Sequence, residues 1–286
     1  MAMTGSGTQA DPYIVHDYTE LKTACNSSNA YIELANNIDC NDYGEDFEWQ
    51  TVELGNSSDL DLKTHTIKNF KVADNNYVFH CSNWSKIHNG KILNVYLARS
   101  YGFSASWNFT ESRWAYLENL SISINTGGGL NSREVFTSFA MNACAIYIEG
   151  DVNTHLIYVY SADGAEITNT DFLLDIDNNA NPNTNMCSIF SGYNRRVKNC
   201  RIRGRFNIIN AQTSRVLYVN GGFYLCVIDL TTNAGSASSD SSTGIINTDK
   251  TPSGFSTSGM TAVDSTEIIS GAALRAKNFD VINVVG

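Results

Sequence analysis

Residues 197 to 208 decide the fold class, because they join a bend to a strand with one apolar face. The stretch reads Val197-Lys198-Asn199-Cys200-Arg201-Ile202-Arg203-Gly204-Arg205-Phe206-Asn207-Ile208. From Arg201 onward, apolar and small residues alternate with polar ones at the two-residue period of a β-strand. Ile202 and Phe206 would face a core, and the arginines would face solvent. We therefore predict a strand with one buried face after a bend at Asn199.

The same phrase recurs along the chain: an apolar residue, any residue, Asn, and then an alternating segment. Its asparagines are Asn69, Asn89, Asn119, Asn142, Asn169, Asn199 and Asn220. A strand-bend-strand unit that recurs every 20 to 30 residues, without a helix between copies, predicts a β-helix solenoid. Asn tolerates the left-handed backbone of a bend, and stacked bends would place the amides in a ladder along the axis. The alternative is a β-sandwich in which Asn only marks turns.

Composition argues against several functional classes. The 286 residues carry a formal net charge of −10 and no basic stripe, so we expect no nucleic-acid partner. No apolar run is long enough to insert into a membrane. The 7 cysteines lack zinc spacing and the 5 histidines are scattered, so we expect no metal and no cofactor. Buried, reduced thiols are the favoured state of the cysteines, with a Cys25–Cys40 disulfide as the alternative.

The chain divides into three predicted regions. Residues 1–40 form an N-terminal cap, in which a helix spans Tyr18 to Cys25 with Thr19 as its N-cap. Residues 41–243 form the coils of the solenoid. Residues 244–286 form a C-terminal cap or oligomerisation segment, with a short helix within 264–276 and a closing strand at 278–285. Caps are expected because the end of a solenoid would otherwise expose its core and open strand edges.

The N-terminal region resembles the opening of right-handed parallel β-helix proteins found in bacteriophage virions and among bacterial surface adhesins. Gly5 and Gly7 precede Asp11-Pro12-Tyr13, a short helix follows, and Asn37-Ile38-Asp39 takes the place of that family's Asp-Ile-Asp. The resemblance is close over residues 5 to 40, and from there to about residue 230 it is limited to the general pattern of the coils. It implies an all-β, right-handed parallel β-helix that assembles as a homotrimer.

The same resemblance implies a virion protein of the tail-fibre, tailspike or head-fibre type, exposed on the outside of the particle. Such a protein would attach to a host-surface glycan or to other virion proteins. The N-terminal residues lack the basic end and apolar run of a secretion signal, which disfavours the alternative of a bacterial adhesin. A polysaccharide-degrading enzyme, either a glycoside hydrolase or a lyase, is the other alternative, because β-helix proteins include both.

Charged residues on two successive copies of the phrase are the candidates for catalysis. They are Asp171, Asp175 and Asp177 on one copy and Arg201 and Arg203 on the next. Paired carboxylates could hydrolyse a glycoside, and an arginine base could serve a lyase. Stacking would set Asp171 beside Arg201 and Asp175 beside Arg205, about 4.8 Å apart. The favoured interpretation is an exposed ladder of ion pairs that only stabilises the fold.

Aromatic residues are the candidates for ligand binding. Tyr101, Trp107 and Trp114 lie within one segment of variable spacing between two copies of the phrase. Exposed rings suit sugar faces and protein partners alike. The alternative is that these rings fill the interior of the coils or pack loops onto the sheet.

Overall fold

The fold is a parallel β-helix, seen in a computed structural model that describes most of the chain. The described residues are 3–105, 114–127, 135–152, 156–159, 166–178, 189–192, 196–208, 215–218, 222–233, 236–238, 243–247 and 261–263. They contain one α-helix, α1 (Tyr18–Cys25), and one short 3-10 helix (Cys40–Tyr43). The remaining regular structure in this part of the chain is β-strand.

Among the described residues, 17 strands belong to one hydrogen-bonded sheet that wraps around the axis. They are β1 (Tyr13–Val15), β2 (Tyr31–Leu34), β3 (Ile38–Asp39), β4 (Glu48–Trp49), β6 (Asp59–Asp61), β7 (Thr66–Val72), β9 (Lys86–Leu97), β11 (Ala115–Thr126), β13 (Phe139–Asn142), β14 (Ala145–Val152), β16 (Ile167–Thr168), β17 (Asp171–Asn178), β19 (Val197–Lys198), β20 (Arg201–Ile208), β22 (Phe223–Thr231), β24 (Thr243–Asn247) and β25 (Thr261–Val263).

A second sheet of 8 described strands closes the coil on the remaining side. They are β5 (Val52–Leu54), β8 (Phe79–Cys81), β10 (Phe103–Ala105), β12 (Phe136–Thr137), β15 (Ile157–Val159), β18 (Phe190–Gly192), β21 (Arg215–Tyr218) and β23 (Ser236–Ser238). Every pairing between strands of either sheet is parallel. The predicted parallel β-helix is therefore confirmed, and the β-sandwich alternative, which needs antiparallel strands, is wrong.

The core runs along the axis as stacks of identical register positions. One stack is apolar and buried in every coil that it crosses: Ile32, Leu60, Ile87, Leu117, Met141, Ile167, Val197 and Phe223. The alternation that the sequence predicts for β20 is confirmed, because Ile202 and Phe206 are fully buried. Each coil thus covers the apolar face of its neighbour, which is how a solenoid buries surface without a compact core.

The predicted asparagine ladder forms along one bend. Asn89, Asn119, Asn169 and Asn199 adopt left-handed φ angles between 50° and 58°. Asn119 Nδ2 donates to Asn89 Oδ1 at 3.1 Å, and Asn199 Nδ2 donates to Asn169 Oδ1 at 2.6 Å. These amide contacts join successive coils at the bend and add to the backbone hydrogen bonds made there.

Two of the predicted members lie elsewhere. Asn69 belongs to a different bend, where Asn94 Nδ2 donates to Asn69 Oδ1 at 2.8 Å. In the coil of Asn142 the left-handed residue is Ala143, with φ 53°, although the Asn142 amide still accepts from Asn169. Asn220 lies outside the described residues.

Helix α1 spans the predicted residues and covers the N-terminal end of the coils. Leu21, Ala24 and Cys25 are its buried face. The predicted N-cap, Thr19, is wrong: Asp17 has the extended backbone of an N-cap, and its Oδ1 accepts from Glu20 N at 2.9 Å. The carboxylate of Asp17 lies where the helix dipole favours negative charge, so it outcompetes the hydroxyl of Thr19.

The remaining expectations are met in part. Six cysteines are described, and all are free and buried, so Cys25 and Cys40 form no disulfide. Strands β24 and β25 continue the parallel ladder beyond residue 243. The expected helix within 264–276 and the strand at 278–285 lie outside the described residues. No helix in the described part of the chain has the length and apolar character needed to cross a membrane.

Candidate functional site

The candidate catalytic residues meet as an ion-pair cluster on the face formed by β17 and β20. The register sets Asp171 beside Arg201 and Asp175 beside Arg205, as the sequence predicts. Both Asp171 oxygens accept from Arg201, at 3.2 and 2.5 Å, and again from Arg203, at 3.2 and 3.1 Å. Two guanidinium groups therefore cover one carboxylate, which is only 3% exposed.

The second half of the cluster is more open. Arg205 binds Asp175 at 2.7 Å and Asp177 at 2.6 Å, and Asn207 Nδ2 also donates to Asp177. The Arg205 guanidinium, opposed by slight burial, holds the pKa of Asp177 below its usual range. A general acid for glycoside hydrolysis needs the opposite, a raised pKa. With its acceptors occupied by arginines, the cluster has the geometry of a stabilising ladder.

The aromatic candidates separate in space. Tyr101 lies beside the second sheet and stacks on Tyr77, with ring centroids 4.6 Å apart. Trp114 lies away from Tyr101 and packs against Trp84, with ring centroids 5.2 Å apart and the rings inclined by 60°. Trp107 lies outside the described residues. The structure therefore pairs one sequence candidate, Trp114, with an aromatic residue that the sequence did not place in the site.

Trp84 has a backbone conformation that the fold alone does not favour. Its φ is 61°, in the left-handed region, where a bulky side chain is an outlier. The same corner carries Asn29 and Ser57, each two residues before its first paired strand residue, with φ 55° and 53°. Small polar residues suit this corner, yet Trp84 occupies it with 46% of its surface exposed. Strain held at an exposed residue points to a functional role.

A cleft of about 600 Å³ opens beside the two tryptophans. It follows the outer face of β2, β6, β9, β11, β13 and β16, so it crosses several successive coils. Its lining combines rings, hydroxyl groups, carboxylates, an ammonium and an amide: Tyr31, Ser57, Ser58, Asp59, Trp84, Lys86, Trp114, Tyr116, Leu117, Glu118, Ala140, Met141, Asn142, Glu166 and Thr168. This is the composition of a site for a polar ligand with one apolar face. We call it the Trp84 cleft.

Charges within the Trp84 cleft are paired. Lys86 Nζ lies 2.6 Å from a Glu118 oxygen, and Asn142 Nδ2 donates to the other oxygen at 3.3 Å. Lys86, opposed by partial burial, lowers the pKa of Glu118, which therefore stays ionised at neutral pH. Asp59 Oδ1 contacts His88 Nε2 on the neighbouring coil. These contacts fix the polar side chains of the floor before any ligand arrives.

The sequence contains a signal for Trp84 that is separate from the Asn phrase. Asn56-Ser57-Ser58 and Asn83-Trp84-Ser85 are the same corner in two successive coils. The serine at the third position is buried in both, with Ser58 Oγ donating to Ser27 O and Ser85 Oγ to Ser82 O. Aligning the two phrases sets a tryptophan at a position where the preceding coil has serine.

The described residues supply no metal site and no activated thiol. No group of three or more His, Cys, Asp or Glu residues in this part of the chain could hold a metal ion. Burial raises the pKa of the Cys40 thiol to about 12, with nearby carboxylates adding to the effect. Burial likewise raises the pKa of Cys25, Cys81 and Cys144. A protonated, buried thiol does not act as a nucleophile.

No family model matches this chain. No curated protein matches it in sequence either. Among solved structures it is similar to the crystal structure of a candidate immunoglobulin A1 protease from Bacteroides ovatus. The two chains share 14% sequence identity with a TM-score of 0.51, and the match covers 96% of this chain and 90% of the other. At that identity the likeness establishes the β-helix fold alone.

Proposed function

We propose that this protein is an attachment module that binds a surface glycan in the Trp84 cleft without cleaving it. The observation that carries the proposal is Trp84 itself, a half-exposed indole held at a left-handed φ of 61°. Such a residue costs stability, on the order of 1–3 kcal/mol. A binding role accounts for its presence, because an exposed indole face packs against the apolar face of a sugar ring.

The polar floor of the cleft supplies the second half of saccharide recognition. Hydroxyl groups of a sugar both donate and accept, and the lining that contains Trp84 also offers carboxylate oxygens, an amide and hydroxyl groups. These groups lie on strands of successive coils, about 4.8 Å apart. A surface fixed in this way loses little entropy when a ligand binds.

Binding without cleavage follows from the charges. The Asp171 cluster has both carboxylate oxygens of its buried member engaged by arginines. Glu118, which lines the Trp84 cleft, has a lowered pKa because of Lys86. The lowered pKa values of Glu118 and Asp177 are the opposite of the raised pKa that a general acid in glycoside hydrolysis needs.

We further propose that the module belongs to a virion appendage of the tail- or head-fibre type. This part of the proposal rests on the resemblance of residues 5 to 40 to the opening of phage β-helix proteins. It is tested separately, by probing purified particles with an antibody to this chain. Labelling of the particle exterior supports the placement, and particles free of the chain contradict it.

The binding proposal is tested with a glycan array, followed by calorimetry on the polysaccharide that gives the strongest signal. Trp84→Asn is the decisive variant, because Asn suits the left-handed corner and removes only the indole. Loss of a central aromatic contact is expected to weaken binding at least about tenfold, while the melting temperature stays the same or rises. Tyr96→Asn, an exposed ring outside the cleft, is the matched control and should leave binding unchanged.

Three outcomes contradict the proposal. Unaltered binding by Trp84→Asn would show that the glycan binds at another place on the protein. An array without any signal removes the glycan-binding function. Release of reducing ends from the bound polysaccharide makes the protein an enzyme.

A further inference from the structure

We infer that the Trp84 cleft selects neutral saccharides and rejects those that carry carboxylate or sulfate groups. The inference rests on the proposed function and adds the chemical class of the ligand. Its basis is the arrangement of charge in the cleft, where three carboxylates and a single ammonium line the surface: Asp59, Glu118, Glu166 and Lys86.

Lys86 is the residue that would otherwise receive an anion, and it is already engaged. Its Nζ contacts Glu118 at 2.6 Å, and its side chain is 32% exposed. An anionic sugar would have to displace Glu118, leaving that carboxylate without its cation while its second oxygen still accepts from Asn142. Replacing the Glu118 carboxylate with a sugar carboxylate on Lys86 gives no net gain in binding energy. The displaced Glu118 carboxylate then repels the anionic ligand.

Two further basic side chains near the cleft also contact carboxylates. His88 Nε2 contacts Asp59, and Arg196 lies 3.7 Å from Glu166. Lys86 and Arg196 therefore each face a carboxylate of the lining. The whole chain adds a formal net charge of −10, which repels anions at distances of up to about a Debye length, near 8 Å at physiological salt.

A neutral sugar meets none of these obstacles. Its hydroxyl groups can donate to the free lone pairs of the carboxylates and leave the existing ion pairs intact, because a carboxylate has about four acceptor positions. Hydrogen bonds to charged acceptors are among the stronger ones available to a sugar. The carboxylates of these ion pairs thus serve as fixed acceptors for the hydroxyl groups of the sugar.

The test uses a glycan array that carries matched polymers: neutral hexose polymers, the corresponding uronic-acid polymers, and sulfated forms of the neutral ones. The wild-type chain should bind a neutral polymer, and its affinity should change little between low and physiological salt. Binding confined to uronic-acid or sulfated polymers overturns the inference but leaves the glycan-binding function standing. Absence of binding to any polymer overturns both.

Glu118→Gln provides a test by gain of function. The amide keeps the size of the side chain but releases the charge of Lys86. Binding to the acidic counterpart of the preferred polymer should rise by at least about fourfold, the effect of one unit charge across about 5 Å of water. Glu48→Gln is the matched control, because it releases Lys71 from a similar ion pair outside the cleft. An equal rise in both variants, or none in Glu118→Gln, overturns the inference.

Discussion

The asparagine ladder ends abruptly at one residue, and replacing that residue should stabilise the protein. The next coil after Asn199 carries Leu225 at the same bend, with φ 53°. Asn199 Oδ1 is buried and, among the described residues, has no hydrogen-bond donor. The change is Leu225→Asn, which supplies a side chain suited to the left-handed bend and an amide that can donate to that oxygen.

The magnitude follows from three contributions. A leucine in the left-handed region carries about 1–2 kcal/mol of backbone strain, and Asn at the same position avoids most of it. A new hydrogen bond to a buried acceptor adds about 1 kcal/mol. Removing the partly buried leucine costs about 1 kcal/mol of apolar burial. The expected gain is about 1–2 kcal/mol in the free energy of unfolding, or a rise of roughly 2–6 °C in Tm for a chain of this length.

The assay is thermal unfolding followed by circular dichroism, with Leu225→Asp as the matched control. Asp tolerates the same backbone as Asn but has no amide to donate, so it should give strain relief without the hydrogen bond. We expect Leu225→Asn to exceed Leu225→Asp in Tm. Equal melting temperatures for the two variants, or no gain over the native chain, would refute the idea that the ladder stabilises the coils.

Three further predictions concern the charged cluster and the cysteines. Asp171→Asn should cost about 1–3 kcal/mol in chemical denaturation, because it removes the buried carboxylate that Arg201 and Arg203 both contact, whereas Asp175→Asn should cost under about 0.5 kcal/mol; similar losses would contradict the difference in burial. Asp177 has its pKa lowered by Arg205, so its stabilising effect is present above about pH 4 and is lost as pH falls through its folded-state pKa. Asp177→Asn should therefore flatten the stability profile in acid, and an unchanged profile would count against the pair. The six described thiols are buried, so a Cys187→Ser variant should not react with a thiol reagent until it unfolds, and rapid reaction of the folded variant would contradict their burial.

The sequence predicted the features that repeat in every coil. Alternation from Arg201 to Ile208 defines the buried face of β20, and the spacing of the phrase sets Asp171 beside Arg201. Both follow from the two-residue period of a strand and from parallel stacking, which a single sequence contains. The N-cap prediction failed by two residues because Asp17 and Thr19 are both acceptable caps, and only the backbone distinguishes them.

The Asn phrase alone does not show which of the several bends of a coil each asparagine occupies. Asn69 and Asn89 have the same local sequence pattern but lie at different bends of the coil, because more than one bend needs a left-handed residue. In one coil the left-handed residue is Ala143, but the adjacent Asn142 matches the phrase and was assigned to the bend instead. Cys144 and Cys200 would have corrected it, since each directly precedes a residue of the same register line.

The Trp84 cleft escaped prediction for a related reason. Trp84 and Trp114 are 30 positions apart, and only the stacking of coils brings their rings to 5.2 Å. The segment from Tyr101 to Trp114 suggested one aromatic cluster, but Tyr101 packs against Tyr77 beside the other sheet. Proximity along the chain says little about proximity in a solenoid, where the neighbours of a residue lie one coil away.

The most direct test of the binding proposal is a crystal structure of the protein with the oligosaccharide that gives the strongest array signal. We expect a sugar ring packed on the indole of Trp84, with its hydroxyl groups hydrogen-bonded to Glu118 or Asn142 and the glycan chain intact. A sugar bound instead against Asp171 and its arginines, or beside Tyr101, would contradict the account.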